Sequence, residues 1–407
     1  MSRRPIARSE DLERLQTEGY SLRIVGGKLV VDDVPFVDHE SAIHHDGALV
    51  MPLTLAGERT TPPPDHTAHF VGGVPCDSDG RSLKSIINNT DTAALGDGLV
   101  ASCYLSAKPK PTGKYTDYYQ KVTVYVAHIA GPASALDPSA TARRFRPIVP
   151  DEDDDGPFKY LDTASARAGI DALNEKLKTE KVAIIGLGGT GQYIFDLVAK
   201  THVAEIHPFD DDPFLTHNAF RAPGAATLAQ LDAGPLKVDH FADVYGSMRK
   251  GIVAHPYRID DTNVDELQDM SFVFIAVDDA PSKEPIVDAL MKYGVPFIDV
   301  GMGVKMVNDR LTGIVRTTTG TPEQYDHIRA RISFVEGDAE VDYRSNIQIA
   351  ELNALNASLA VIRWKKYREV YADLGSEHNS TFSVATNRTV NVDLSIADNE
   401  PGDLETA

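Results

Sequence analysis

The sequence is poor in cysteine and contains no long apolar run. Its 407 residues include two cysteines, Cys76 and Cys103, and no CxxC pair. This excludes a disulfide framework and the usual structural zinc signature. No stretch of about 18 apolar residues occurs, so no membrane-spanning helix is predicted. Residues 1–18 are polar and charged. They do not resemble a secretory signal, and we expect a cytoplasmic location.

Cations are also scarce relative to acids. Asp and Glu number 60 against 40 Lys and Arg, which gives a net charge of −20. This balance argues against general binding to nucleic acid, because the phosphates would be repelled. A small anion such as ATP remains possible, because a few local cations are enough to hold a triphosphate. The length predicts two globular domains in a protein that does not enter membranes.

An acidic run marks the predicted domain boundary. Residues 151–155 read Asp-Glu-Asp-Asp-Asp and are followed by Gly156-Pro157. Such a run does not pack, and Gly-Pro breaks regular structure. A docking site for a basic partner is the alternative to a solvated linker. We predict an N-terminal domain of unknown role (1–150), an acidic linker (151–162), a second domain (163–396) and a polar tail (397–407).

The first domain is predicted to be a small α+β domain. Two strands, 21–25 and 28–32, flank Gly26-Gly27 as a hairpin. One helix is expected near 81–88. Further strands are predicted at 47–55, 66–71, 98–105 and 119–128.

The second domain alternates strand and helix patterns after a helix predicted at 164–178. This alternation predicts an α/β fold with a doubly wound, Rossmann-like, mostly parallel sheet. Buried strands are predicted at 182–185, 205–209, 252–257, 272–277 and 296–300. A hairpin around Asn308-Asp309, a helix at 348–367 and a strand at 382–392 complete the predicted domain.

A glycine turn comes directly after the first of these strands. Gly186-Leu-Gly-Gly-Thr-Gly191 fits GxGxxG between a strand and a helix. Glycines permit a tight turn and bring backbone N–H groups close to a phosphate, which the helix N-terminus also favours. The turn alone suits NAD, FAD or ATP. Asp210, near the end of the second strand, fits a ribose-binding role with each of them.

The residues after the second strand resemble the signature of the ThiF/MoeB/HesA family, which includes the adenylation domains of ubiquitin-activating enzymes. The segment Phe209–Arg221 carries Asp-x-Asp and then Asn-x-x-Arg, and Gly189 supplies the family's additional glycine in the turn. Residues that match the family pattern are Gly186, Gly188, Gly189, Gly191, Asp210, Asp212, Asn218, Arg221, Lys237 and Asp278. Lys237 comes after an insert at 225–235. Lys283 occupies a position where the family often has arginine.

The resemblance implies ATP-dependent adenylation of the C-terminal carboxylate of a ubiquitin-like or sulfur-carrier protein, with release of pyrophosphate. Both reactants are anions, so the site needs cations and a metal. Arg221 and Lys237 would neutralise phosphates, and Asp278 would hold Mg²⁺. Asp210 would bind the ribose, and Asn218 would orient ribose or phosphate. Asp212 is equally well interpreted as a ligand or as a helix cap.

The resemblance also implies a homodimer, in which an arginine of one subunit reaches the ATP site of the other. Arg167 is the candidate, and an exposed helical arginine is the alternative. Many relatives carry a cysteine that accepts the activated protein, but residues 151–407 contain none. Either the reaction stops at the acyl-adenylate or a cysteine elsewhere serves. Cys76, in a loop predicted to be exposed, is the candidate nucleophile, and a plain loop cysteine is the alternative, whereas Cys103 is expected to be a buried hydrophobe.

The layout resembles bacterial ThiF-like proteins that carry an extra N-terminal domain, which suggests a conjugating-enzyme-like protein as a further partner. Two other functions are compatible with the glycine turn. An NAD(P)-dependent oxidoreductase would leave Asn218, Arg221 and Lys237 without a role. A non-catalytic nucleotide-binding scaffold would not need this set of charged residues.

Overall fold

The computed structural model describes residues 4–150, 156–334 and 347–394. The acidic run 151–155 and the tail 397–407 lie outside these residues. Contacts divide the chain into two compact units, Met1–Asp154 with Tyr160–Ala168, and Asp155–Lys159 with Gly169–Ala407. The boundary after residue 150 stays a prediction, and the contacts group 160–168 with the first unit. Among the described helices, none has both the length and the apolar character needed to cross a bilayer.

The first unit is built on an antiparallel sheet. Its helices are α1 (Arg4–Arg8), α2 (Glu10–Thr17), α3 (Tyr118–Leu136) and α4 (Thr163–Ala168). Its strands are β1 (Ser21–Val25), β2 (Lys28–Val37), β3 (Ile43–Pro52), β4 (Leu55–Ala56), β5 (Arg59–Thr60), β6 (Thr67–Val71), β7 (Ile87–Asn89), β8 (Ala93–Gly96), β9 (Leu99–Ala101) and β10 (Cys103–Ser106). The main sheet has the order β1-β2-β3-β6-β10-β7, while β4–β5 and β8–β9 form separate pairs.

Alternating side chains in the strands give this sheet two apolar faces. Leu29 and Val31 of β2 belong to the main core, which also contains buried residues of α2 and α3. Val30, between them, points to a smaller cluster with Val50 and Leu99. This period of two is what a β-strand imposes on side-chain direction. The predicted hairpin across Gly26-Gly27 is confirmed, with Ser21 opposite Asp32.

Two predictions for the first unit are wrong. Residues 119–128 lie inside helix α3, because the apolar positions recur at helical spacing and Asp117 caps the first turn by accepting a hydrogen bond from Gln120 N at 2.7 Å. The β-branched composition of this segment suggested a strand, and packing against the sheet outweighs that preference. Residues 81–88 do not form a helix: residues 84–86 form a turn that leads into β7, which begins at Ile87.

The second unit contains the predicted α/β sheet. Its helices are α5 (Asp171–Asn174), α6 (Gly189–Ala199), α7 (Thr216–Ala219), α8 (Leu228–Ala233), α9 (Lys237–Gly246), α10 (Ala280–Tyr293), α11 (Ile328–Arg331) and α12 (Ala350–Tyr367), with 3₁₀ turns at Glu175–Leu177 and Val264–Leu267. Its strands are β11 (Lys181–Ile185), β12 (Glu205–Phe209), β13 (Phe272–Ile275), β14 (Phe297–Val307), β15 (Arg310–Gly320), β16 (Glu377–Ser383) and β17 (Arg388–Leu394).

The sheet order is β12-β11-β13-β14-β15-β16-β17. Strands β12, β11, β13 and β14 are mutually parallel, and the remaining pairs are antiparallel. Val182 and Ile184 of β11 pack into one core with Trp364, whereas Ala183 and Ile185 pack into the opposite core with α10. Helices therefore cover both faces of the parallel part, as the Rossmann-like prediction required. The carboxyl ends of β11, β12 and β13 meet at one edge, where such folds bind ligands.

Other predicted elements of the second domain need correction. The helix expected at 164–178 is interrupted at Gly169, which has φ +67°. Residues 252–257 make only isolated bridges to β12. The single strand expected at 382–392 is instead the hairpin β16–β17. The hairpin turn at Asn308-Asp309 is confirmed, with φ of 51° and 56°.

Asp117 gives a direct test of how α3 begins. Replacing Asp117 with Ala removes the acceptor for Gln120 N and should lower the free energy of unfolding by about 1 kcal/mol. Urea denaturation followed by circular dichroism measures the change. The matched control is Asp91→Ala at an exposed position, which should leave stability nearly unchanged. Equal effects of the two substitutions would contradict the capping role.

Candidate functional site

A pocket lies at the carboxyl ends of β11, β12 and β13 in the second unit. Its volume is about 360 Å³. We call it the glycine-turn pocket, because the turn after β11 forms part of its wall. The residues that line it are Ile185, Gly186, Gly188, Phe209, Asp210, Asp211, Asp212, Arg221, Lys237, Arg258, Ile259, Ala276, Val277, Asp278, Asp279, Ser282, Ile286 and Gln348.

The glycines of the turn differ in what requires them. A Cβ on Gly191 would lie 1.9 Å from the carbonyl oxygen of Gly186, and a Cβ on Gly189 would lie 2.3 Å from Nδ2 of Asn353. Gly186 has φ +88° and faces the Ala276 carbonyl. These three positions are therefore fixed by packing. At Gly188 the first protein atom is 4.0 Å away, so the space beside it is open to the pocket.

Asp210 fastens the glycine turn to the end of β12. Its Oδ2 accepts a hydrogen bond from Leu187 N at 2.7 Å, and its Oδ1 accepts one from Asp212 N at 2.9 Å. Lys237, the first residue of α9, lies 3.1 Å from Oδ1 of Asp210. A buried carboxylate with these partners holds the turn in one conformation.

Lys237 is shared between two carboxylates. Its Nζ lies 2.7 Å from Oδ2 of Asp212, and its side chain is 6% exposed. The hydrogen bond from Lys237 lowers the pKa of Asp212. Asp212 is also 3.5 Å from Arg258, whose Nε donates to Asp211 at 2.7 Å. The three aspartates that follow β12, Asp210 to Asp212, thus share two cations that the chain supplies, Lys237 and Arg258.

Arg221 contrasts with these paired cations. It lines the pocket, and its Nε is buried without a hydrogen-bond partner among the described residues. Leaving such a donor unsatisfied is costly, which favours an anionic ligand that pairs with it. Asp278 also lines the pocket, at the end of β13. Desolvation by the surrounding protein raises the pKa of the Asp278 carboxyl group. The positive charges of Lys283, Arg221 and Lys237 act in the opposite direction and lower it.

Among the predicted site residues, Gly189, Gly191 and Asn218 of the second unit are not part of the pocket lining. Asn218 is 1% exposed and uses Oδ1 to accept from Leu215 N at 2.8 Å, so its side chain stabilises the start of α7. It is not part of the pocket lining as the described residues define it. The backbone of Arg167 lies in α4, but its side chain is outside the described part of the structure. Cys76 lies in the first unit.

The expectation that Cys76 is exposed is wrong. The residue is 2% exposed, its N–H donates to the Val37 carbonyl at 2.8 Å, and its Sγ lies 3.4 Å from the Val74 carbonyl. Burial raises the pKa of its thiol. A thiol that stays protonated is a poor nucleophile. Cys103 is fully buried in β10, as predicted for a small hydrophobe.

Family models match both parts of the chain. The model of the "ThiF family" matches residues 162–343. These residues belong to the ThiF family. Residues 10–163 match a family described as "Domain of unknown function (DUF6791)". No curated protein matches the chain significantly.

Solved structures resemble part of the chain at low identity. E. coli MccB crystallised with succinimide is 16% identical and has a TM-score of 0.46, covering 57% of this chain and 72% of MccB. E. coli MccB with ATP is 16% identical with a TM-score of 0.45, covering 57% and 71%. PaaA is 18% identical with a TM-score of 0.43, covering 55% and 75%.

Sequence reasoning missed several residues of the ThiF domain. Arg258 lines the pocket from a loop after an irregular segment, and no motif points to it. Lys283, which the family pattern had singled out, is buried and lies 2.7 Å from a residue that it had not, Asp299, which also pairs with Arg316 at 2.6 Å. Asp299 is fully buried on β14. Alternation of apolar residues along β14 could have drawn attention to this acid, because a buried carboxylate needs cationic partners.

The glycines of the ThiF domain provide a matched pair of variants. Gly188→Ala should leave the melting temperature nearly unchanged and weaken nucleotide binding about tenfold or more, because its Cβ fills space on the pocket side. Gly191→Ala should lower the melting temperature strongly, because its Cβ meets the Gly186 carbonyl. Thermal melting and calorimetric titration with ATP measure both effects. Undiminished ATP affinity in folded Gly188→Ala would remove the turn from the ligand site.

Proposed function

We propose that this protein uses ATP to adenylate the C-terminal carboxylate of a small ubiquitin-like or sulfur-carrier protein and releases pyrophosphate. The observation that carries the proposal is the unpartnered Nε of Arg221 beside the open Gly188 and Asp278 in a ThiF family domain. A buried Nε–H without an acceptor among the described residues favours an anion beside this guanidinium. The space at Gly188 admits that anion to the N-terminus of α6, where backbone N–H groups favour phosphate.

The reaction needs the cations that the pocket supplies. An oxygen of the substrate carboxylate attacks the α-phosphorus of ATP, the bond to the bridging oxygen breaks, and pyrophosphate leaves with that oxygen. The carboxylate is already ionised at neutral pH, so no general base is required. Arg221 would pair with phosphate oxygens directly. Lys237, now held by Asp210 and Asp212, would reach the phosphates by exchanging one carboxylate partner.

Asp210 and Asp212 would take different parts in nucleotide binding. Asp210 uses Oδ2 to fix the turn and Oδ1 to accept from Asp212 N, but it retains lone pairs that can accept from ribose hydroxyls. Asp212 would set the position of Lys237. Asn218 supports the segment that leads to Arg221, whose backbone N–H donates to the Asn218 carbonyl at 3.0 Å. These assignments replace a direct ligand role for Asn218 with a positioning role.

Asp278 fits a magnesium site by its chemistry. Its carboxylate is accessible from the pocket beside Arg221 and the glycine turn, and Mg²⁺ prefers carboxylate and phosphate oxygens. Bound Mg²⁺ would offset charge on the phosphates during pyrophosphate release. Asp279, the N-cap residue of α10, accepts a hydrogen bond from Ser282. We therefore assign it a structural role.

Two wider features of the proposal concern assembly. We propose a cytoplasmic homodimer in which Arg167 completes the partner's ATP site, and an N-terminal domain that docks the ubiquitin-like protein or a conjugating-enzyme-like protein. The alternative of an NAD(P)-dependent oxidoreductase gives Arg221 and Asp278 no function. A non-catalytic scaffold would keep the pocket without turning over ATP, and a pyrophosphate exchange assay separates it from an enzyme.

Pyrophosphate exchange into ATP tests the proposal. A small protein encoded beside this one, of ubiquitin-like or sulfur-carrier type, should stimulate exchange, and the same protein with an amidated C-terminus should not. Asp278→Asn should lower exchange about a hundredfold, because the charge that holds the metal is lost. Asp288→Asn, an exposed position of α10 outside the pocket, is the matched control. Exchange that persists in Asp278→Asn would refute the assigned site.

Cys76 gives a separate prediction about the fate of the acyl-adenylate. Because its thiol is buried with a raised pKa, we expect the reaction to stop at the acyl-adenylate. Cys76→Ser should keep full exchange activity, and mass spectrometry should find no thiol-sensitive adduct on the wild-type chain. A reducible adduct that disappears in Cys76→Ser would show that the residue accepts the acyl group after all.

A further inference from the structure

A row of hydrogen-bonded side chains connects strand β12 of the second unit to the irregular segment that runs alongside it. Nε2 of His207 lies 3.0 Å from Oε2 of Glu205, and Nδ1 of His207 lies 3.0 Å from Nε2 of His255. Nδ1 of His255 lies 2.8 Å from the hydroxyl of Tyr257, which donates to Oε2 of Glu266 at 2.8 Å. We call these five side chains the histidine row.

The four contacts of the row need one proton more than its neutral rings and hydroxyl carry. Glu205 and Glu266 end the row, and ionised carboxylates only accept hydrogen bonds. His207 therefore donates to Glu205, and Tyr257 donates to Glu266. A neutral His207 then has no proton left for His255, and a neutral His255 has a single proton for its two contacts. One contact of a neutral row would bring two lone pairs together.

The surroundings of the row assign the additional proton to His207. Burial and the neighbouring charge of His207 lower the pKa of His255, so that ring is the poorer site for a charge. Hydrogen bonds from His207 and Lys181 lower the pKa of Glu205, which therefore stays ionised. Burial raises the pKa of Tyr257 to about 12, so the hydroxyl keeps its proton.

A doubly protonated His207 completes every contact of the row. It donates to Glu205 and to Nε2 of His255, and His255 then donates from Nδ1 to Tyr257. The charged side chains that flank the ring along the row are Glu205 with Lys181, 3.0 Å apart, at one end and Glu266 at the other. With His207 protonated, these groups carry no net charge together.

The row attaches segment 252–257 next to the glycine-turn pocket. This segment makes isolated bridges to β12 rather than a continuous ladder, so side-chain contacts matter to its attachment. The His255 ring stacks on Phe209 with centroids 4.1 Å apart, and the His255 carbonyl accepts a hydrogen bond from Asp210 N at 3.2 Å. Phe209 and Asp210 line the pocket, as do residues 258–259, which follow the segment directly.

We infer that the histidine row is a proton-dependent clasp, in which protonated His207 holds segment 252–257 against β12 and loss of this proton loosens the wall of the glycine-turn pocket. The clasped state binds one proton more than the released state. It is therefore favoured at low pH and weakens as the pH rises above about 6.5, where a free histidine titrates. The accompanying loss of nucleotide affinity rests on the proposed function, whereas the clasp itself does not.

Hydrogen–deuterium exchange of the full chain, compared at about pH 6 and about pH 8.5 and corrected for intrinsic exchange rates, tests the clasp. Protection of segment 252–257 should fall about tenfold at the higher pH, because a charged hydrogen bond is lost. His207→Gln can still donate to Glu205 but cannot take up a proton, so protection should be low at both pH values. The matched control, His45→Gln, removes an exposed histidine of the first unit and should behave as the wild type does.

Tyr257→Phe separates proton counting from a merely structural role. Without the hydroxyl, His255 no longer has to donate from Nδ1 and can donate from Nε2 to a neutral His207. The shortened row is then complete without an additional proton. Protection of segment 252–257 should therefore stay high at both pH values, whereas a row that only adds contacts would lose protection at both.

Calorimetric titration with ATP under the same conditions tests the link to the pocket. The affinity of the wild type should fall about tenfold more than that of Tyr257→Phe between the two pH values, because titration of ATP itself is common to both proteins. Melting temperatures show whether each variant is folded.

The outcomes separate the clasp from the proposed function. Protection that does not depend on pH in the wild type, or that is lost at both pH values in Tyr257→Phe, would overturn the clasp. Wild-type behaviour of His207→Gln would also overturn it. Equal changes of ATP affinity in the wild type and Tyr257→Phe would overturn the link to the pocket. If protection follows the pH as expected but ATP binds at neither pH, the clasp stands and the adenylation proposal fails alone.

Discussion

The site depends on the Asp210 carboxylate, because its two oxygens accept hydrogen bonds from two different segments. One oxygen accepts a hydrogen bond from the backbone N–H of Leu187 in the glycine turn, and the other accepts one from the backbone N–H of Asp212 after β12. The ammonium group of Lys237 lies within hydrogen-bonding distance of both oxygens. Three separate segments, the turn after β11, the end of β12 and the start of α9, are therefore joined at one group. Because the group is buried, each of these interactions is strengthened by the low local dielectric. The same carboxylate fixes the turn and orients the cation.

This constraint divides the positive charges of the pocket into two kinds. Lys237 and Arg258 are already paired with the carboxylates that follow β12, Asp210 to Asp212. Their positive charge therefore offsets negative charge that belongs to the protein itself. Arg221 has a buried Nε without a partner among the described residues. An incoming anion therefore gains most from Arg221, whereas at Lys237 it must compete with Asp212. The net charge of the chain, −20, does not prevent anion binding, because the field is set by the groups within a few ångströms.

Much of the second domain could be predicted from sequence, because buried parallel strands have a distinctive apolar composition and motifs mark where they end. Strand β12 lies at its predicted bounds, and Asp210, Arg221 and Asp278, predicted to share one site, lie in one pocket. The failures have physical causes. Helix α3 carries β-branched residues that suggest a strand, and the burial of Cys76 depends on a bridge to Val37, which is distant in sequence. Arg258 carries no motif, since its place is set by contacts with Asp211 and with Asn263.

The glycine turn shows why the motif alone did not identify the ligand. Gly186, Gly189 and Gly191 are required by the protein's own packing, so their presence reports a strand, a tight turn and a helix in close contact. Any nucleotide-binding protein of this architecture needs them. The distinguishing information lies in Gly188, which lines the pocket and whose position has room for a Cβ, and in the charges that line the same pocket. A motif therefore defines the backbone geometry, whereas Arg221 and Asp278, which we propose as ligand contacts, lie outside the motif and far apart in sequence.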